Sequence, residues 1–182
     1  MEFNFATLWE KTADLIPNET AIICGDEQKT WGEYENVSAK LATALIDAGL
    51  STYSKAGLYL HNSNEYLEAQ FSIFKIGGTP INVNYRYKSE ELLYLLDNSD
   101  CEALFYQACY GDQINKIKDS LPKIKAWIEV ADGSDSVVEN CVHYSSLIEQ
   151  CSEMERWNRP DDIVYMLYTG GTTGMPKGVM YN

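Results

Sequence analysis

Apolar positions recur along the chain at two alternating periods. Residues 3–16 place Phe5, Leu8, Trp9, Leu15 and Ile16 at roughly helical spacing, and Pro17 stops the run. Thr20 to Cys24 (TAIIC) reads as a short strand. Thr30-Trp31-Gly32-Glu33 reads as a capping box, in which hydroxyl and carboxylate each satisfy an orphan N–H. The helix it opens puts Val37, Leu41, Ala44, Leu45 and Ala48 on one face, with Gly49 as its C′ residue. Ala56 to Leu60 predicts a strand, and Asn62-Ser63-Asn64-Glu65 starts a helix, with Asn62 as cap and Glu65 three residues on. That helix, Glu65 to Ile76, is apolar on much of its surface, so it should pack on more than one side. Gly77-Gly78 ends it.

The alternation continues. Thr79 to Val83 predicts a strand and Ser89 caps a helix through Leu96. Glu102 to Tyr106, Ala126 to Val130 and Ile163 to Tyr168 are further strands, and Ile114, Ile117 and Leu121 mark an amphipathic helix between the first two. Asp132 to Asp135 is a polar turn, and residues 149–162 read as a polar linker. Strands alternating with helices predict an α/β fold: a mainly parallel sheet flanked by helices. The expected division is 1–158 as a first α/β subdomain and 159–182 as linker, strand and loop.

Composition narrows the function classes. The 182 residues are 45% hydrophobic and 23% charged, as in an ordinary globular protein. Lys plus Arg is 14 against 27 Asp plus Glu, a net charge of −13, which argues against a nucleic-acid partner. No apolar run reaches the roughly 18 residues of a membrane span, and the N-terminus has no basic signal-peptide region. Five cysteines (Cys24, Cys101, Cys109, Cys141, Cys151) form no CxxC pair and read as reduced thiols, which points to a cytoplasmic location. His61 and His143 stand far apart, a spacing without a zinc pattern, so no metal site is expected. His61 and the Asn84-Tyr85-Arg86-Tyr87 cluster read as structural, and the four tryptophans as packing residues.

One stretch carries chemistry: Tyr168-Thr169-Gly170-Gly171-Thr172-Thr173-Gly174-Met175-Pro176-Lys177-Gly178-Val179, set directly after an apolar strand. Glycines let backbone N–H groups turn inward on a ligand. Consecutive inward N–H groups form an anion-binding concavity. Threonine hydroxyls donate to phosphate oxygens, and Lys177 adds a full positive charge in an otherwise acidic chain. Pro176 before the lysine and Gly178 after it exclude a Walker A loop, and no GxGxxG opens a helix.

The stretch YTGGTTGMPKGV resembles the phosphate-loop signature of the adenylate-forming (AMP-binding) superfamily, with Gly170 where serine is commonest. Thr30 to Leu50 and Leu58 to Leu96, including Asn82-Val83-Asn84-Tyr85-Arg86-Tyr87, are similar to its fatty acyl-CoA synthetase branch. The resemblance implies an enzyme of lipid metabolism in two steps. A fatty or steroid-side-chain carboxylic acid attacks MgATP to give an acyl-adenylate, and coenzyme A then displaces AMP. It places Thr169, Gly170, Gly171, Thr172, Thr173, Gly174 and Lys177 on the β- and γ-phosphates. It implies ATP, Mg2+ and coenzyme A as cofactor and co-substrates. It also implies that residues 1–182 are the N-terminal part of the large domain. The adenine, ribose, magnesium and most acyl-pocket residues, and a C-terminal domain, would lie beyond Asn182. The isolated stretch is therefore expected to be inactive. It is also expected to leave the strand Ile163 to Tyr168 without partners. An adenylation domain that loads a carrier protein and a non-catalytic truncated remnant stay open as alternatives. Oligomeric state is open too.

Overall fold

The computed structural model describes residues 4–135, 137–162, 165–169 and 176–181. Helix α1 (Phe5–Leu15) is capped by Asn4, whose side chain accepts from the Thr7 amide. Strands β1 (Thr20–Cys24) and β2 (Glu27–Thr30) form a small antiparallel hairpin beside the main sheet. Helix α2 (Trp31–Asp47) starts on the expected Thr30–Glu33 capping box, and Gly49 follows it at φ +86°.

Five parallel crossovers then build the main sheet. Strand β3 (Lys55–Tyr59) leads to α3 (Asn64–Lys75), β4 (Thr79–Asn82) to α4 (Ser89–Asn98), and β5 (Ala103–Gln107) to a short helical segment containing α5 (Gly111–Ile117). Strand β6 (Ala126–Val130) is followed by β7 (Val142–His143), α6 (Tyr144–Gln150), β8 (Tyr165–Thr169) and β9 (Lys177–Tyr181). The sheet order is β7-β6-β5-β3-β4-β8-β9, parallel throughout except for the β8–β9 pair.

Period-two alternation divides the core between the two faces of this sheet. Ala56 and Leu58 of β3, Ala103 and Phe105 of β5, and Ala126, Ile128 and Val130 of β6 pack under α2, α3 and α6. Tyr59, Leu104, Tyr106 and Trp127 point the other way, under α4 and α5. A third cluster joins Ala6, Ile22, Tyr34, Phe71 and Phe74, with Trp9 packed against it. Helix α3 thus packs on both sides, as its apolar surface predicts. Gly78 is required where β4 begins, because a Cβ there would stand 2.8 Å from the Ser54 carbonyl oxygen.

Several expectations are corrected. The cap of α3 is Ser63, which accepts from the Tyr66 amide, and not Asn62. Ser89 is the first residue of α4. Its amide-capping carboxylate is Glu91, which accepts from the Lys88 N–H at 2.8 Å. The helix marked by Ile114, Ile117 and Leu121 breaks into 3-10 turns on either side of α5. The last predicted strand is not without partners: β8 pairs with β4 on one side and β9 on the other. Its first two predicted residues, 163 and 164, lie outside the described residues.

The expected linker is anchored. Arg159 is fully buried and donates to both Glu10 carboxylate oxygens, at 2.7 and 2.9 Å, and to the Lys75 carbonyl. Lys75, also fully buried, reaches Glu10 at 2.7 Å and Glu35 at 2.8 Å. Arg156 pairs with Asp14 at 2.7 Å, and the Trp157 indole N–H donates to the Lys75 carbonyl. These charges tie residues 156–159 to α1, α2 and α3.

Candidate nucleotide-phosphate site

Parallel strands end at one edge, so the loops after β3, β4, β5, β6 and β8 share that edge. In open α/β sheets ligands bind outside the carboxyl ends of the strands, where successive connections leave in opposite directions. Here β3 hands its chain to α3 on one face, while its neighbours β4 and β5 hand theirs to α4 and α5 on the other.

Strand β8, which precedes the glycine- and threonine-rich stretch in sequence, ends at this edge. Ile81 and Asn82 of β4 pair with Met166 and Leu167 of β8, which fixes the height of the strand. The chain returns as β9 in an antiparallel hairpin, with Thr169 paired to Lys177 and Tyr168 to Gly178. Two predicted phosphate ligands, Thr169 and Lys177, are therefore paired through their backbones across β8 and β9. Gly170, Gly171, Thr172, Thr173 and Gly174 lie outside the described residues. Lys177 opens β9 and so is not a loop residue. Its side chain is exposed, and no carboxylate among the described residues pairs with it.

Gly178 has a local reason. A Cβ there would stand 3.0 Å from the ring of Tyr168 on the opposing strand. The Tyr168 hydroxyl donates to Asn98 Oδ1 at 2.9 Å, at the end of α4, and burial raises the pKa of this phenol. Tyr168 thus ties the base of the hairpin to the helix layer, and Pro176 beside it is buried. The described part of the hairpin presents one exposed ammonium group, that of Lys177.

The same edge holds a cluster that sequence reading missed. His61 follows β3, Tyr85 follows β4 and Tyr110 follows β5. The Tyr110 hydroxyl and His61 Nε2 are 2.9 Å apart, and the His61 and Tyr85 rings meet edge-on at 4.6 Å. The His61 amide donates to Gln107 Oε1, and the Arg86 guanidinium lies 5.4 Å from the Tyr85 ring centre. Three loops far apart in sequence supply these residues, so spacing alone gave no signal. Asn84 to Tyr87 follow β4, the strand that pairs with β8.

A family model for "AMP-binding enzyme" matches residues 9–182. The chain belongs to the AMP-binding enzyme family. It is 40% identical over 181 residues to a medium/long-chain-fatty-acid–CoA and 3-oxocholest-4-en-26-oate–CoA ligase of Mycobacterium tuberculosis, covering 98% of this chain and 33% of the relative. It is 38% identical to a 3-oxocholest-4-en-26-oate–CoA ligase of Rhodococcus rhodochrous, over all of this chain and 33% of that one. The chain thus spans about one third of the length of these curated relatives. Among solved structures, an anthranilate CoA ligase in complex with anthranoyl-AMP superposes with TM-score 0.89 at 23% identity, over 98% of this chain and 34% of that one. That likeness establishes the fold of the AMP-binding chain. Among its described residues no helix is long and apolar enough to cross a membrane.

Proposed function

We propose that this AMP-binding chain supplies the nucleotide-phosphate loop of an ATP-dependent acid–thiol ligase acting on medium- or long-chain fatty or steroid-side-chain acids. The observation that supports the reading is the register of β8 and β9, which pairs Thr169 with Lys177, near the two ends of the sequence TGGTTGMPKG, beyond the carboxyl end of a parallel strand. The names of the curated relatives support the substrate class.

A carboxylate oxygen of the acid attacks the α-phosphorus of ATP. The bond to the β-phosphate breaks, leaving acyl-adenylate and pyrophosphate. The thiol sulfur of coenzyme A then attacks the acyl carbonyl, loses its proton and displaces AMP. In the first step negative charge builds on the departing pyrophosphate. Thr169, Gly170, Gly171, Thr172, Thr173, Gly174 and Lys177 hold the β- and γ-phosphates and neutralise that charge. The contribution is positioning and field, with no covalent intermediate on this chain.

Mg2+ fits this edge less directly. Among the described residues the only gathered set of metal-type ligands is Glu129, Cys141 and His143, at the opposite side of the sheet. The ion is therefore assigned to ATP, where it would screen the phosphate oxygens. No residue of this chain is assigned to it.

Residues 1–182 would form the N-terminal part of the AMP-binding domain, with 1–158 as its first subdomain. The test is acid-dependent ATP–pyrophosphate exchange in a chain that carries these residues at the full length of the relatives. Fatty and steroid-side-chain acids should support exchange, and added coenzyme A should give the thioester. Exchange with no acid of either class would overturn the substrate assignment. Transfer to a carrier protein in place of coenzyme A would overturn the acceptor.

A further inference from the structure

Glu129, Cys141 and His143 gather at the edge of the sheet remote from the hairpin, and the activation of an acid does not use them. Strand register places them. Tyr106, Glu129 and His143 stand directly opposite one another across β5, β6 and β7. Paired residues share a sheet face, and Cys141, two residues before His143, returns to that face. One donor atom from each of the three lies within 4.8 Å of the others. His143 Nδ1 is 3.4 Å from Glu129 Oε1.

The carboxylate is built into the site. Its side chain is only 7% exposed, and its second oxygen, Oε2, accepts from the Tyr106 hydroxyl at 3.2 Å. Tyr106 therefore turns one carboxylate oxygen toward the imidazole, as an outer-shell partner turns a metal ligand.

We propose that Glu129, Cys141 and His143 form a binding site for a zinc-class divalent cation. The donor set of thiolate, imidazole and carboxylate suits zinc, whereas Mg2+ and Ca2+ take all-oxygen sets. Tetrahedral bonds of about 2.0–2.3 Å place donors roughly 3.3–3.8 Å apart, so the present separations close by about 1 Å. His143, with its side chain 63% exposed, and the half-buried Cys141 have room for that movement. On binding, the Cys141 thiol loses its proton to solvent. The remaining position faces solvent beside His143 and takes water. The ion ties the two-residue edge strand β7 to β6. Four strand spacings, roughly 19 Å, separate β6 from β8, so this site is independent of the phosphate loop.

Titration of the reduced 182-residue chain with Co2+ alone, followed by competition with Zn2+, tests the site. One equivalent should bind with a thiolate-to-cobalt charge-transfer band that Zn2+ abolishes. Cys141→Ser should lose the band. His143→Ala should bind at least about tenfold more weakly, the size that loss of even an outer-shell partner produces. Cys109→Ser, at an exposed thiol elsewhere, should keep it. Both test residues are at least partly exposed, so the variants should fold, which circular dichroism checks. No band in the wild-type chain, a band retained in Cys141→Ser, or unchanged affinity in His143→Ala overturns the site.

Discussion

Replacing Lys177 by alanine is expected to slow adenylation on the order of 100-fold in a chain of the relatives' full length, the cost typical of removing one donor to a developing charge. Lys177 is the exposed cation at the mouth of the hairpin, opposite Thr169. Charge on pyrophosphate is greater as it leaves than in bound ATP. The loss should therefore fall mainly on kcat, and pyrophosphate exchange measures it. The fold should be untouched, because the side chain makes no contact that a core needs. Lys177→Arg should restore part of the rate, since it keeps the charge at a similar reach. An unchanged exchange rate in the alanine variant would remove Lys177 from the site.

The largest effect on stability is expected at Arg159. Arg159→Met removes both hydrogen bonds to Glu10 and leaves a buried carboxylate with Lys75 as its remaining partner. Breaking a buried pair from one side costs about 3–5 kcal/mol. In a domain of this size that lowers Tm by roughly 10 °C. Calorimetry on the wild-type chain and the variant measures the difference, and a shift within a degree or two would show that the cluster is energetically idle.

The same cluster sets a pH dependence. Burial pushes the Glu10 carboxyl up, but its bonds to Arg159 and Lys75 outweigh burial and hold it below its ordinary 4.5. The folded chain thus binds this proton less readily than the unfolded chain does. The resulting stability is fully present above about pH 4.5 and is lost as pH falls through the lower folded value. The Arg159→Met variant should lose less on acidification over that range, because part of its stabilisation is already gone.

Elements with a strong period were legible in the sequence. TAIIC and AWIEV are strands at the residues the pattern named: AWIEV is buried throughout, and TAIIC sends Ile22 into a core while Ile23 stays exposed. The Thr30 box and the glycines after α2 and α3 mark helix ends through local hydrogen bonds that need no tertiary knowledge. The misses share a physical cause. Strand β2 (EQKT) is polar and exists by pairing with β1, while β7 is two residues long and leans on β6. Arg159 reads as a linker arginine until Glu10, 149 residues earlier, is folded against it.

The site divides the same way. The stretch proposed to hold phosphate stands out in the sequence because its residues are contiguous and each type has its own use. His61, Tyr85 and Tyr110 were invisible as a group, and so were Glu129, Cys141 and His143. Both sets are assembled by strand register, and the parallel order β6-β5-β3-β4 follows from crossovers that periodicity does not rank. His61 and His143, read as isolated, each acquire partners only in the folded sheet.

The account rests on the hairpin between β8 and β9 holding the phosphates of a nucleotide. The most direct measurement is a titration of the 15N-labelled 182-residue chain with MgATP and, separately, with pyrophosphate, followed by amide NMR. Both ligands should shift the amides from Tyr168 to Gly178 most, the Lys177→Ala variant should lose those shifts, and AMP alone should leave them small. Shifts confined to other parts of the chain, or the same shifts from AMP as from pyrophosphate, would contradict it.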